Sequence, residues 1–229
     1  MVKVIKVESK KQQKEFLNFP LNLYKDNPYF VPPLYMDEKK MFKKNYMYYE
    51  IFAVKDVMQM YLQDPLTEIF NRRGYDRKLV ELHQMFDDGV TSIAMVSIDM
   101  DGLKQINDTY GHECGDYVLI TVASLIKNSL RGSDIAGRYG GEEFTVLLDG
   151  ASKDDAMIVA ERIRSTIEHH DFVYNDQHLH VTISGGISVF DVDTNPVSNP
   201  NEFINQADKG LYLSKNNGRN RVTFFDPNN

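Results

Sequence analysis

Residues 92–101 read Ser-Ile-Ala-Met-Val-Ser-Ile-Asp-Met-Asp, a pattern that places one element at the centre of the fold. The run from Ser92 to Ile98 is almost continuously apolar, which predicts a strand buried on both faces. Asp99 and Asp101 follow at its carboxyl end, where paired carboxylates make a suitable platform for a hard cation such as Mg²⁺. An Asp-x-Asp pair also occurs in solvated loops and helix caps, so both interpretations stay open here.

Helical and strand patterns alternate on both sides of this central strand. The helices predicted around it cover residues 72–86, 115–130, 153–169 and 200–215, with a loop of acidic residues directly after the strand. The predicted strands form a hairpin over 134–148 that turns at Gly140-Gly141, and continue at 172–175, 179–189 and 221–225. The pattern predicts an α/β (α+β) sandwich with helices over a central mixed, mostly antiparallel sheet.

Composition and charge narrow the class of protein. The chain has 229 residues, 42% of them hydrophobic, which excludes a mainly disordered or fibrous protein. Its net charge of −7 argues against electrostatic binding of nucleic acid by the chain as a whole. A bound polyphosphate would need a divalent metal or a local cluster of cations. No apolar run approaches the ~18 residues of a membrane span, and Lys6 and Glu8 interrupt any signal peptide, so we expect a cytoplasmic protein.

The amino-terminal part differs from the rest, and we predict a division into residues 1–62 and 63–229. The first segment is an extension followed by a linking helix that ends at Asp64-Pro65. A heptad-like apolar stripe follows this helix at Met47, Ile51, Val54, Met58 and Tyr61. The stripe fits a helix packed on its own domain, and it also fits a dimer-forming stalk. The segment is in addition a candidate partner-binding region.

A second acidic pair, Glu142-Glu143, follows the glycines of the predicted hairpin. Adjacent like charges repel unless a cation lies near. Beside Asp99 they would complete a carboxylate metal site of the kind that supports nucleotidyl transfer.

Two polar segments carry the remaining candidate ligands. Residues 104–116 include asparagine and aspartate side chains, which can read the donors and acceptors of guanine. The cations in residues 215–220 could hold phosphates, although a solvated turn is the alternative. The single cysteine, Cys114, is expected to be a small buried hydrophobe.

Together, these motifs resemble the GGDEF diguanylate cyclase family over about Asp64 to Phe225. The resemblance rests on an ordered set: Asp64-Pro65-Leu66-Thr67, Asn71-Arg72-Arg73, Asp99-Met100-Asp101-Gly102-Leu103-Lys104, Ile106-Asn107-Asp108, Gly111-His112, Gly115-Asp116, Arg138-Tyr139-Gly140-Gly141-Glu142-Glu143-Phe144, Ser184-Gly185-Gly186-Ile187, Ala207-Asp208, Lys215 and Gly218-Arg219-Asn220. No single piece is specific, whereas the ordered set is. The sequence departs from the family at Glu68, usually Gly, and at Leu103, usually Phe.

The resemblance implies a palm-like nucleotidyl cyclase domain that joins two GTP molecules into cyclic di-GMP and releases two pyrophosphates. Each subunit of a homodimer would hold one GTP, and each 3′-hydroxyl would attack the other nucleotide's α-phosphate. The implied catalytic residues are Glu142, Glu143 and Lys104. The implied ligands of Mg²⁺ or Mn²⁺ are Asp99, Glu142 and the carbonyl of Met100. The implied substrate-binding residues are Asn107, His112 and Asp116 for guanine, with Lys215 and Arg219 for the terminal phosphates.

Asp116 bears on nucleotide choice, because relatives that accept ATP tend to carry Ser at this position. A purine without the N1 and N2 protons of guanine would leave this carboxylate unpaired. The resemblance therefore implies a preference for GTP.

The segment Arg131-Gly132-Ser133-Asp134 matches the family's RxxD product-inhibition site. Arg162 resembles the secondary arginine of that site. An arginine can bind a guanine edge or a phosphate in a bidentate way, although on local sequence alone a surface ion pair between Arg131 and Asp134 is the alternative.

Three functional hypotheses come from different classes. The first is an active diguanylate cyclase, supported by the complete set of motif residues. The second is a non-catalytic module that binds cyclic di-GMP or GTP, which an intact metal set disfavours. The third is another nucleotidyl cyclase or polymerase-like enzyme, which the guanine-reading residues disfavour.

Overall fold

The computed structural model describes residues 61–84, 92–191 and 200–226. Its helices are α1 (Arg72–Gln84), α2 (Leu103–Tyr110), α3 (His112–Asn128), α4 (Lys153–Glu168) and α5 (Pro200–Asn216). Its strands are β1 (Phe70–Asn71), β2 (Ser92–Asp101), β3 (Ile135–Gly140), β4 (Glu143–Asp149), β5 (Phe172–Tyr174), β6 (Gln177–Leu179), β7 (Thr182–Asp191) and β8 (Val222–Phe224).

The main sheet has six strands in the order β1-β3-β4-β2-β7-β8, with β2 in an inner position. β2 pairs antiparallel with both β4 and β7, and β3 pairs antiparallel with β4. The two edge strands, β1 and β8, pair parallel with their neighbours. The predicted mixed, mostly antiparallel sheet is therefore confirmed, and β5 and β6 form a separate two-stranded hairpin.

Helices cover both faces of this sheet. Since alternate residues of β2 point to opposite sides, they contribute to a separate core on each face. Ala94, Val96 and Ile98 belong to a core formed with α3 and α4. Ile93 and Met95 belong to a second, smaller core formed with α1 and α5. Cys114 is fully buried in the first core, as expected. The layers are therefore helix, sheet and helix.

Close approach of α5 to the sheet depends on two facing glycines. A Cβ at Gly186 of β7 would lie 2.0 Å from the nitrogen of Leu211, and a Cβ at Gly210 of α5 would lie 3.1 Å from the Cα of Gly186. No side chain fits between these backbones. The helix therefore runs along the sheet closely enough for Lys215, in its last turn, to reach the end of β2.

The structure corrects three sequence-based predictions. The acidic loop predicted after β2 contains helix α2, because Leu103 and Ile106 bury one face of it against the core. The strand predicted over 179–189 is divided into β6 and β7, which belong to different sheets. The hairpin turn lies one residue later than predicted, since Gly140 pairs with Glu143 across it.

The predictions for the amino-terminal segment lie outside the described residues. They include the extension, the apolar stripe from Met47 to Met58 and most of the predicted segment 1–62. The division of the chain at residue 62 therefore stays a prediction. Within the described ranges, no helix combines the length and apolar character needed to cross a membrane.

Candidate active site at the carboxyl end of the central strand

A buried carboxylate at the end of β2 meets a lysine from α5. Asp99 is 6% exposed, and one of its oxygens lies 2.8 Å from Lys215 Nζ. The lysine side chain remains partly exposed, so this ion pair stands at the edge of the core, accessible to a ligand.

The glycine hairpin brings the second acidic pair beside Asp99. Glu142 lies in the turn between β3 and β4, and its carbonyl accepts a hydrogen bond from the Met100 N–H at 3.2 Å. Glu143 begins β4 and lies opposite Asp99 in the antiparallel register. The predicted carboxylate site thus comes together from two strands that are more than 40 residues apart in sequence.

The electrostatics of this cluster favour a bound cation. Partial burial raises the pKa of Glu142, and the charges of Asp99 and Glu143 raise it further, while Lys215 opposes them. Three carboxylates face one lysine here, so negative charge is in excess. Among the described residues no three metal-binding side chains form a closed site. Two carboxylates and a main-chain carbonyl suit a cation such as Mg²⁺, which takes its remaining oxygen ligands from phosphates and water.

Arg138, for which the sequence predicted no role, stabilises the hairpin. Arg138 donates to the Gly141 carbonyl from Nε at 3.0 Å and from Nη2 at 2.7 Å. Its Nη1 lies 3.0 Å from an oxygen of Asp64, which also accepts hydrogen bonds from Thr67. Arg138 thereby joins two turns: the β3–β4 turn, which contains Glu142, and the turn that precedes β1.

Asp101 has a different environment from Asp99. Its carboxylate accepts hydrogen bonds from Thr182 Oγ1 at 2.8 Å, Ser184 Oγ at 2.7 Å and the Asn220 N–H at 3.1 Å. Asp99 instead pairs with Lys215 beside Glu142, so the metal-platform interpretation stays a prediction for Asp99. Asp101 has a structural role, which sequence reasoning did not separate from that of its neighbour.

A second group of predicted residues lies where α2 meets α3. Asn107 is half-buried, and its Oδ1 has no hydrogen-bond partner in the structure. A Cβ on Gly115 would lie 1.9 Å from that oxygen, so only glycine leaves room for the amide. His112 and Asp116 stand exposed in the first two turns of α3, and Lys104 is exposed at the start of α2. A partly buried amide beside an exposed carboxylate suits a base edge.

The predicted phosphate ligand Arg219 lies in the loop that follows α5. Its side chain is 63% exposed, and its Nε lies 4.0 Å from Asp101 Oδ1. Its main-chain N–H donates to the Ser214 carbonyl at 3.0 Å, so the loop folds back beside Lys215.

Of the predicted inhibition residues, Arg131 and Asp134 lie in the turn between α3 and β3, and Arg162 lies on α4. Arg131 and Arg162 line one open cavity of about 480 Å³, and Arg162 donates to the Ser129 carbonyl at 2.7 Å. Asp134 accepts a hydrogen bond from the Arg131 main-chain N–H at 2.9 Å, so it orders the turn. Arg131 and Arg162 therefore line the same cavity, whereas Asp134 lines a neighbouring cavity with Arg131, and the product-inhibition site stays a prediction.

The family is now defined. The family model described as "Diguanylate cyclase, GGDEF domain" matches residues 61–221. With the fold and the carboxylate site in agreement, this chain belongs to the GGDEF domain family.

Similar proteins agree with this assignment. Diguanylate cyclase A of Treponema denticola is 47% identical over 137 residues, which make up 60% of this chain and 36% of that protein. The response regulator PleD of Caulobacter vibrioides is 34% identical over 182 residues, covering 79% and 39% of the two chains. This chain spans less than half the length of these curated relatives.

A solved structure shares the fold. The coiled coil and GGDEF domain of DgcB from Caulobacter crescentus, in complex with c-di-GMP, superposes with a TM-score of 0.71 at 28% identity. The match covers 77% of this chain and 92% of that one.

Proposed function

We propose that this protein is a diguanylate cyclase that condenses two GTP molecules into cyclic di-GMP and two pyrophosphates. The observation that carries the proposal is the cluster of Asp99, Glu142 and Lys215 at the end of β2, in a member of the GGDEF family. Two carboxylates and one lysine at this position match the needs of guanylyl transfer.

Asp99, Glu142 and the Met100 carbonyl are the residues that would hold a divalent cation, Mg²⁺ or Mn²⁺. When bound, such a cation neutralises phosphate charge and makes a nearby hydroxyl more acidic. Lys215 contributes positive charge at the same place, and Arg219 and Lys104 add charge toward the phosphates. Catalysis then depends mainly on positioning and charge complementarity.

Glu142, with Glu143 beside it, accepts the proton of the attacking 3′-hydroxyl. Without a cation, burial and the charge of Asp99 raise the pKa of Glu142, whereas a cation bound to the same carboxylate would lower it, so its role in proton transfer rests on its position. The oxygen–phosphorus bond to the α-phosphate forms as the bond to pyrophosphate breaks. The same exchange at the second nucleotide closes the ring.

Asn107, His112 and Asp116, where α2 meets α3, orient guanine. The Asn107 oxygen is buried against Gly115 without a hydrogen-bond partner, so a guanine donor would reach it only after the amide side chain turns outward. ATP offers neither N1 nor N2 protons to Asp116, so GTP is the preferred substrate.

Each chain supplies one nucleotide site, so the complete reaction needs two chains facing each other as a homodimer. Cyclic di-GMP in turn binds at Arg131, Asp134 and Arg162; the cavity lined by the two arginines supports a product-inhibition site, and Asp134 holds the turn that bears Arg131. Arg131→Ala is expected to relieve that inhibition while leaving the catalytic residues in place.

The test is incubation of the chain, freed of bound nucleotide, with GTP and Mg²⁺ and with ATP in parallel. Products are identified by chromatography and mass. Cyclic di-GMP that is lost in Glu142→Ala and retained in Glu81→Ala, an exposed glutamate on α1, supports the proposal. Absence of product at high protein concentration would overturn it and favour a binding module. An adenine product would indicate a different nucleotidyl cyclase.

A further inference from the structure

The loop after α5 has an unusual backbone. Gly218, Arg219 and Asn220 adopt positive φ values of 110°, 60° and 44° in succession. For residues with a Cβ, this conformation is costly and persists only where surrounding contacts hold it. The loop carries Arg219, so whatever holds it also sets the position of that guanidinium.

One set of contacts ties the loop to the central strand. The Asn220 N–H donates to Asp101 Oδ2 at 3.1 Å. Asp101 is itself fixed by the hydroxyls of Thr182 and Ser184 on β7. Its side chain is 8% exposed, so this anchor is sheltered from water.

A second set ties the same residue to α4. The Asn220 amide accepts from Arg164 Nη1 at 2.7 Å and donates to Glu168 Oε1 at 2.5 Å. Arg164 and Glu168 also pair directly at 2.7 Å, and the arginine side chain is only 12% exposed. Asn220 thus uses its backbone N–H, its amide oxygen and its amide nitrogen to join β2, the loop and α4.

We propose that Asn220 is a positioning residue: held by Asp101 on one side and by the Arg164–Glu168 pair on the other, it presets Arg219 to grip the terminal phosphates of the nucleotide. This rests on the proposed function, in which Arg219 is a phosphate ligand. A loop that is already ordered loses less conformational entropy when phosphate binds. A larger part of the free energy of the arginine–phosphate interaction therefore contributes to affinity.

The test is a double-mutant cycle measured by calorimetry. The probe is 3′-deoxy-GTP, which carries the triphosphate but lacks the attacking hydroxyl, so binding is separated from turnover. Asn220→Ala is expected to weaken binding of this probe about tenfold, as for loss of one aligned charge-assisted contact. In an Arg219→Ala background it should add almost nothing, because the residue it positions is gone.

The matched control is Asn175→Ala. Asn175 also has positive φ, 49°, and lies in the exposed turn between β5 and β6. It should leave probe affinity unchanged. GMP, which lacks the terminal phosphates, should bind Asn220→Ala as it binds the unaltered chain.

Several outcomes would overturn the proposal. These are additive effects of the two substitutions, an equal loss of GMP affinity, or failure of the unaltered chain to bind the probe. If Asn220→Ala does not fold, Asn220→Gly is used in the same double-mutant cycle. It removes the same side-chain amide, and glycine adopts the positive φ without strain. If the chain binds the probe but makes no cyclic di-GMP, the proposed function is refuted. The double-mutant cycle still measures whether Asn220 positions Arg219, because it depends only on binding of the probe.

Discussion

Glu142 is subject to opposing demands from folding and from chemistry. Burial and the neighbouring Asp99 charge raise its pKa, so the folded protein holds its proton more tightly than the unfolded chain does. Its contribution to stability is therefore complete below the usual glutamate pKa and is lost as pH rises through the raised value. At neutral pH and without metal, the ionised carboxylate destabilises the fold.

Glu142→Gln is accordingly expected to raise the free energy of unfolding of the metal-free protein at pH 7. The gain is small, about 0.5 kcal/mol, because solvent screens a partly exposed carboxylate. Thermal unfolding in a chelating buffer measures it. Glu81→Gln is the control of opposite sign, since hydrogen bonds from Lys78 and Arg77 lower the pKa of Glu81. A lower melting temperature for Glu142→Gln than for the unaltered protein would contradict this account.

Glu68 carries backbone strain where the family usually has Gly. Its φ is 60°, in the left-handed region that disfavours residues with a Cβ. Glu68→Gly should stabilise the protein by about 0.5 to 1 kcal/mol, after the entropy cost of glycine is subtracted. Chemical denaturation checks this, with Glu68→Ala as the control that removes the same side chain but keeps the Cβ. Equal stability of the two variants would show that the left-handed conformation costs no more than the extra backbone entropy lost by glycine, which contradicts the prediction.

At the scale of elements, Arg138 links the β3–β4 hairpin to the segment before β1. Its side chain is 15% exposed, and its partner Asp64 is similarly sheltered. Burial raises the pKa of Asp64, but hydrogen bonds from Thr67 and Arg138 outweigh it, so that pKa lies below its usual value. A depressed carboxyl pKa stabilises the fold above the usual aspartate range, and that stability is lost as pH falls through the depressed value.

Arg138→Ala should lower the free energy of unfolding by about 2 kcal/mol at pH 7, because three charge-assisted contacts are lost. The deficit should shrink in acid, as pH falls below the usual aspartate range and through the depressed pKa of Asp64. Denaturation at pH 7 and in acid measures the difference. Arg77→Ala is the matched control, since its ion pair with Glu81 is exposed and contributes less than about 0.5 kcal/mol. Cyclase activity should also fall, because the turn bearing Glu142 loses its anchor; full activity would refute that link.

Elements with long apolar patterns could be predicted, whereas those set by tertiary contacts could not. β2 and the hairpin followed from apolar runs and paired glycines. The helix α2 was missed, because its sequence is rich in polar and turn-forming residues and is helical only through its packing on the core. β6 and β7 were merged, since pattern alone does not show that the chain leaves one sheet for another.

In the candidate site, too, residues marked by a local sequence pattern could be predicted, whereas roles set by tertiary contacts could not. Asp99 and Glu142 could be chosen because acidic pairs next to a buried strand and a glycine turn are unusual. The difference between Asp99 and Asp101 could not be predicted, since it depends on Ser184 and Thr182, more than 80 residues later. The Asn220 network was missed for the same reason: its partners on α4 lie over 50 residues away in sequence.

At the scale of the whole molecule, the proposed chemistry needs two copies of the chain. One site holds one nucleotide, and the hydroxyl that attacks it comes from the nucleotide on the other copy. Activity per chain therefore follows the fraction of dimer, and it should fall on dilution as the dimer dissociates. The apolar stripe at Ile51 and Met58 is a candidate for the dimer-forming stalk, with packing on its own domain as the alternative.

Ile51→Asp with Met58→Asp should raise the protein concentration needed for half-maximal activity at least about tenfold, which corresponds to ~1.4 kcal/mol of dimer stability. Burying four carboxylates in a dimer seam is unfavourable enough to produce this shift. Specific activity and sedimentation are measured over the same dilution series. The control is Val80→Asp with Ile158→Asp, two apolar side chains that are exposed on α1 and α4. If the stalk variant keeps the unaltered dilution curve, the stripe packs on its own domain and the dimer forms through another surface.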